Sequence, residues 1–405
     1  MSATIVGREA RYQAYLDMLK EDYTPYAQLE LLNPDGSIAE RIVNDFIADG
    51  SLNVRFQNGT RRTATVTLDN GLNKRFIGLN SLWFGQQVRL SMGLILPDGT
   101  PYLLPQGVFY INDPNHEFNP NKNTLEIPLI DKWSYLDGTL FGELEGNYVA
   151  QVNSDINENI SAILQIDRGN GIPIDNVSPL ISSYFNGKTV VLPSGETIAV
   201  TKVPYEMRIE QSANTYATVL LEFTNMLTGI IGYDNTGRLR IEPSNYDIDD
   251  ANKPLQWEFK LTEKEFLGGT YTPKMSEVYN VVQVVGTVLN GYQAKGEAVN
   301  DDLASETSIY GSIGRKVKYI EDTSYYADEQ CQALAEWYLK RLKALQSSIS
   351  FRTSPIYHLQ ENMLVSVSNP DNNFAMESHL IDGFTIPIGL GEMSITTTSI
   401  NKINL

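Results

Sequence analysis

Residues 50–68 read GSLNVRFQNGTRRTATVTL, and this stretch decides the fold class. Leu52, Val54 and Phe56 alternate with Asn53 and Arg55, and Ala64, Val66 and Leu68 alternate with Thr65 and Thr67. A period of two sends successive side chains to opposite faces, so each run predicts a strand with one face in a core and the other in water. Asn58-Gly59 lies between the runs, where glycine accepts the positive φ that a tight reversal needs. The pattern repeats nearby. Val88, Leu90 and Met92 alternate with Arg89 and Ser91, and Pro34-Asp35-Gly36 and Pro97-Asp98-Gly99 supply further turns. Short strands joined by such turns predict an antiparallel sandwich or barrel from Tyr26 to about Ala150.

Working outward, the period changes. Tyr12, Tyr15, Leu16 and Leu19 form one stripe of a helix over 7–20, which must stop before Thr24-Pro25. Beyond Ala150, Ile156, Ile160, Ile163 and Leu164 predict a short helix. A loop rich in Gly, Pro and Asn follows (168–179), then a hairpin with its turn at Pro193-Ser194-Gly195. Tyr216, Val219, Leu220, Phe223, Met226 and Leu227 make a wide helical stripe that Gly229 and Gly232 can end. Strands are expected on both sides of Asp234-Asn235-Thr236-Gly237, over Val278–Val288, and at 349–352, 363–367, 384–388 and 393–400. The best-signalled helix spans about 325–345. Thr323 or Ser324 is its expected cap, and Ala327, Cys331, Leu334, Ala335, Tyr338, Leu342 and Leu345 are its expected buried face. The expected organisation is a helical arm (1–25), a β block (26–150), an α/β segment (151–250) and a second β block carrying that helix (251–405). The fold class is mixed and β-rich (α+β).

Composition narrows function. The 405 residues hold 49 acidic against 31 basic side chains, a formal charge of −18. The clustered Lys and Arg of a duplex groove-binder are missing, and an acidic surface repels nucleic acid and anionic membrane alike. The simple meaning is solubility; the sharper one is a conduit wall past which DNA slides. No run approaches the roughly 20 apolar residues of a membrane span, and the N-terminus lacks signal-peptide character, so synthesis in a cytoplasm is expected. The single cysteine, Cys331, forbids an intrachain disulfide or a cysteine metal cluster. His116, His358 and His379 have no metal-ligand spacing.

Candidate chemistry is sparse. Asp131 and Asp137 with Glu143 and Glu145 could be imagined as a glycosidase pair, but solvated loops beside Gly138 and Gly142 explain them more simply. Asp234-Asn235-Thr236-Gly237 opens like a calcium loop yet lacks the acidic twelfth residue, where Asn245 stands. Asp247, Asp249 and Asp250 suit a charged linker better than a cation site. No nucleophile elbow, phosphate loop or dinucleotide fingerprint is present, and Cys331 sits on an apolar helical face. No catalytic, cofactor or metal residue is therefore assigned. Trp133 and Trp257 suit a core. Tyr325-Tyr326 could grip a sugar or a partner. Tyr12 and Tyr15 stand evenly between a core role and docking on a neighbouring chain.

Several segments resemble the hub proteins of bacteriophage tails. They are Gly50–Val54 with Asn58–Ala64, Gly93–Gly99 running on to Pro105–Ile111, Asp131–Gly138, Ile230–Ile241, and the 325–345 helix leading to Met363–Val367. The family's usual Gly-Asp before that last strand is Glu361-Asn362 here. The resemblance implies two tube-type antiparallel β-barrel domains per subunit, one in each β block, the 325–345 helix belonging to the second. It further implies a homotrimeric ring with partners in the tail tube, distal tail proteins and a spike or tip. Such a ring lies in the virion, is made in the host bacterial cytoplasm, lets DNA pass without specific binding, and inserts into no membrane. Lumen-facing carboxylates would keep phosphates from adhering. The hydrolase or fibre extensions of some hubs are not expected in a chain ending at Leu405. A receptor- or carbohydrate-binding module of a tail tip or injection machine is the alternative, and a glycosidase a third.

Overall fold

The computed structural model describes residues 6–399 except 44–46, 74, 76, 78–81, 170, 193, 228, 244–253, 261–265, 274, 306, 322–324, 344–346 and 372. In chain order, α1 (Val6–Met18) leads to β1 (Pro25–Leu32), β2 (Ile38–Val43), β3 (Ile47–Arg55), β4 (Arg62–Asp69), the single turn α2 (Asn70–Asn73), β5 (Gln87–Ile95), β6 (Pro101–Ile111), β7 (Asn115–Asn119) and β8 (Lys122–Asp131). The middle of the chain supplies β9 (Tyr148–Ala150), α3 (Ile156–Leu164), β10 (Leu180–Ile181), β11 (Thr189–Val191), β12 (Thr197–Ala199), β13 (Met207–Ile209), α4 (Tyr216–Met226), β14 (Gly229–Tyr233) and β15 (Leu239–Pro243). Then come β16 (Leu255–Phe259), β17 (Phe266–Pro273), β18 (Val281–Leu289), β19 (Tyr292–Val299), β20 (Val317–Glu321) and α5 (Asp328–Leu342). The last strands are β21 (Ser347–Thr353), β22 (Leu364–Asn369), β23 (Ala375–Pro387) and β24 (Met393–Ser399).

Strands from both ends of the chain build one sheet. Its order is β17-β21-β24-β23-β3-β4-β8-β6-β5-β1-β2, with β22 branching from β23, β16 pairing with β22, and β7 branching from β8. The joint is the 13-residue β23, which changes partner along its length. Residues 375–380 pair with β22, 379–385 with β24, and 383–387 with β3. Beneath lies one continuous core that takes Leu52, Val66 and Phe109 from the first block and Phe351, Ile386 and Ile395 from the last. The expected alternation is present: Ala64, Val66 and Leu68 face this core while Thr63, Thr65 and Thr67 face away.

The middle segment forms a second core. Asp155 caps α3 by accepting from the N–H groups of Asn157 and Glu158. The stripe Ile156, Ile160, Ile163 and Leu164 is buried, as is the stripe of six on α4. A third, smaller core lies where α5 covers β18 and β19, with Val282, Val284, Ala294, Cys331 and Leu334 inside. The helix approaches so closely that a Cβ at Gly296 would lie 2.4 Å from the Gln332 backbone nitrogen.

Several expectations change. No closed barrel is found among the described residues, because the sheet path ends at β17 and β2 and the two β blocks share a sheet. The α5 helix packs on the three-stranded sheet β19-β18-β20, not on the large sheet. It begins at Asp328 with Ala327 in the cap position; Thr323, Ser324 and Leu345 lie outside the described residues. Gly229 and Gly232 do not end α4 but lie within β14. Tyr326 is fully buried. The N-terminal arm packs on its own chain: Tyr15 and Leu19 are buried in the large core, and Arg11 donates to Thr100 Oγ1 and the Pro101 carbonyl. The Tyr15 hydroxyl accepts from the N–H groups of Tyr357 and His358, so the arm had a partner in the last block that sequence proximity could not reveal.

Candidate functional site

The chemistry of the chain concentrates where the β3–β4 turn meets the second core and the loop before β22. Asn58-Gly59 makes that turn. Gly59 has φ +82, and a Cβ there would sit 3.1 Å from the Trp133 indole nitrogen. The Gly59 N–H donates to the Ile231 carbonyl at 3.0 Å, and the Asn58 side chain accepts from the Ile231 N–H at 2.9 Å. Two hydrogen bonds thus tie the first β block to the middle segment.

Immediately after the turn, Arg61 and Arg62 are both buried. Arg62 pairs with Glu361 and donates to the Gln106 carbonyl at 3.0 Å and to Gln360 Oε1 at 2.6 Å. Arg61 donates to the Gln57 carbonyl at 3.0 Å and lies 3.8 Å from Glu361 and 3.6 Å from Glu242. Burial lowers the Arg61 pKa, against the pull of those two carboxylates. Two buried cations at the start of β4 therefore face the buried Glu361 of the loop before β22 and the partly exposed Glu242 of β15. Glu361, which departs from the resembled family's pattern, holds the centre. Space for Arg61 is made by Gly232, where a Cβ would lie 2.3 Å from the Arg61 Nε.

Asp131 anchors the same junction from beneath. One of its oxygens accepts from the N–H groups of Arg61 (2.8 Å) and Arg62 (3.1 Å), the other from the Trp133 N–H (3.1 Å). Burial raises its pKa to about 6, opposed by those three donors. The next residue, Lys132, makes a buried ion pair with Asp175 at 2.5 Å and donates to the Gly237 carbonyl at 3.1 Å. Burial pulls its pKa down, and Asp175 acts against this. This arrangement holds three parts of the chain in fixed register; no nucleophile stands beside a base within it.

The remaining candidates scatter. Asp131 is buried rather than solvated, whereas Glu143 and Glu145 are exposed and Asp137 caps the Thr139 N–H. Asp234 accepts from Thr236 and Arg238 and closes a tight turn with Gly237 at φ +76. Asn245, Asp247, Asp249 and Asp250 lie outside the described residues. His116 is on the exposed β7. Burial drives the pKa of His358 and of His379 to about 4. Cys331 is fully buried, its thiol pushed up to about 12 by burial. Trp133 is buried and Trp257 packs against the large core. Among the described residues, no three His, Cys, Asp or Glu side chains gather as a metal cluster, and no helix is long and apolar enough to cross a membrane. Sequence reasoning missed the Arg61–Arg62–Glu361 group. The only available signal was a charged pair directly after a turn, inside an otherwise alternating strand pair.

This fold, a sheet woven from both ends of the chain around an inserted α/β module, is similar to that of phage tail proteins of known structure. The chain is similar to a tail protein from Neisseria meningitidis (TM-score 0.60, 10% identity, 94% of this chain and 98% of that one). It is also similar to a prophage tail protein from Shewanella oneidensis (TM-score 0.56, 10% identity, 93% and 98%) and to one from Listeria monocytogenes (TM-score 0.55, 9% identity, 94% and 95%). No protein-family model and no curated protein matches the sequence.

Proposed function

We propose that this chain is a non-enzymatic structural hub of a phage tail or baseplate. Three copies close into a ring that joins the tail tube to a spike or tip, and DNA passes through it without specific binding. The observation that carries this reading is the extent of the fold similarity: 94% of this chain aligns with 98% of a tail protein, so the likeness includes the inserted module as well as the sheet.

The sheet supports the reading physically. Its path stops at β17 and β2, and sheet edges left open invite pairing with other chains. A closed ring of identical copies removes such edges without chemistry. On this reading each β block is one tube-type unit, 26–150 and 251–405, whose barrel is completed in the assembly, and the buried charges at Arg61, Arg62 and Glu361 keep the two units in register. The chain is then made in the host cytoplasm and resides in the virion.

Light scattering on the chain, alone and mixed with its tube and spike proteins, tests the ring. The expected mass of the hub component is roughly three times 45.3 kDa. A chain that stays monomeric with those partners present, or that is missing from purified tails, would sink the proposal.

A further inference from the structure

Lys132 and Asp175 meet inside the protein, their side chains 5% and 0% exposed and Nζ 2.5 Å from Oδ2. The ion pairs Lys122–Glu117, Lys202–Asp155 and Lys260–Glu258, by contrast, stand in contact with water. Arg61 and Arg62 are buried beside Glu361, but a guanidinium stays charged. A lysine need not. Once it gives up a proton, its amine is a nucleophile. Burial pulls Lys132 in that direction and the positive charge of Arg168 adds to the pull, while Asp175 and Asp234 oppose it.

Both partners are held in place. Lys132 opens the short helical turn after β8, which Asp131 caps. Its Nζ donates to the Gly237 carbonyl at 3.1 Å and lies 5.1 Å from the centre of the Tyr233 ring. Asp175 lies in the loop between α3 and β10. Its N–H donates to the Leu164 carbonyl at 2.9 Å, and its Oδ1 accepts from the Val177 N–H at 2.9 Å. That donor polarises the carboxyl group and marks Oδ1 as its carbonyl oxygen, in the manner of an oxyanion donor. Oδ2 is left facing the amine, without a well-directed hydrogen bond. One C–O bond of about 1.2 Å separates Oδ2 from Cγ, so Cγ lies within about 3.7 Å of Nζ. A hollow of about 20 Å³, lined by Lys132, Asp175, Tyr110 and Arg168, reaches the exposed Pro34 and Asn176. It has room for about one water.

We propose that Lys132 and Asp175 join in an intramolecular isopeptide bond, a covalent staple between the first β block and the middle segment. A proton passes from the ammonium to Oδ2, leaving a neutral amine beside a carboxylic acid. Asp175 is then the electrophile. Nζ attacks Cγ, a second proton moves from Nζ to the same oxygen, and the Cγ–Oδ2 bond breaks. Oδ2 departs as water through the hollow, and Nζ and Cγ become an amide. The step consumes no oxidant, reductant or co-reactant and happens once per chain. Two effects favour it. Paired charges are costly in a dry interior, and the amide carries none. Holding both groups in contact also replaces a chance encounter, an advantage that reaches an effective concentration of about 10⁵–10⁸ M in well-oriented pairs. The inference does not depend on the hub reading.

Intact-mass spectrometry of the purified, folded chain tests the bond. The expected mass is lower by one water than the sequence requires, counted with or without Met1. Trypsin should then fail to cut after Lys132 and should release a branched peptide that joins it to the segment containing Asp175. Lys132→Arg keeps the cation and Asp175→Ala removes the carboxyl group, and each should show its full mass. A folded parent chain of full mass, cut by trypsin after Lys132, overturns the proposal. So does a water loss that persists in the variants or maps to another position, such as ring closure at Asp35-Gly36 or Asp98-Gly99. Where a variant fails to fold, the presence or absence of the branched peptide in the parent decides.

Discussion

Replacing Glu361 with Gln tests whether the buried charges hold the two β blocks together. Glu361 is 6% exposed, and the two guanidinium groups it faces are each 1% exposed. Glutamine preserves the shape and an acceptor oxygen for Arg62 but removes the negative charge. Arg61 keeps Glu242 at 3.6 Å, so roughly one cation is left without its counter-charge in the interior. Removing one partner of a buried pair costs about 3–5 kcal/mol, a large share of the ~5–15 kcal/mol that stabilises a typical domain. With a denaturant dependence of about 1–3 kcal/mol per molar urea, the midpoint should fall by on the order of 1 M or more. Tryptophan fluorescence follows the transition, since Trp133 is buried against the same turn. The paired change Arg62→Leu with Glu361→Leu should recover most of the loss, because well-packed apolar pairs replace buried ion pairs at little cost. A midpoint for Glu361→Gln within about 0.3 M of the parent, or a double variant as weak as the single one, would refute the argument.

Three further outcomes follow from the geometry. His379 is fully buried and its pKa is lowered to about 4 by burial. The unfolded chain therefore binds the extra proton between pH 6.5 and 4, and stability is lost as pH falls through that window, by up to about 3 kcal/mol from this group. His379→Gln should flatten the urea midpoint against pH, and an unchanged slope would contradict this. Tyr15→Phe removes the acceptor for two N–H donors, from Tyr357 at 3.0 Å and His358 at 3.2 Å. It should cost about 1–3 kcal/mol and speed proteolysis between α1 and β1; equal cleavage rates would show that the arm is not held by this hydroxyl. Gly232→Ala forces a methyl group against the Arg61 side chain, and overpacking of this kind costs about 1–3 kcal/mol. A variant as stable as the parent in urea would mean that Arg61 can move aside.

Local chemistry was enough for the elements. Alternation at 52–56 and 64–68 became β3 and β4, and the stripes at 156–164 and 216–227 became α3 and α4 with the expected residues inside. Each of these patterns concerns neighbours within one or two turns, so near-sequence sterics and burial decide them. Partner choice is different. Backbone hydrogen-bonding groups are the same in every strand, and an apolar face says that a strand will be covered without saying by what. Only the folded chain could bring β23 beside β3, Glu361 beside Arg61 and Arg62, and Tyr15 beneath His358. Those contacts join residues about 300 positions apart and are selected by how whole faces pack together.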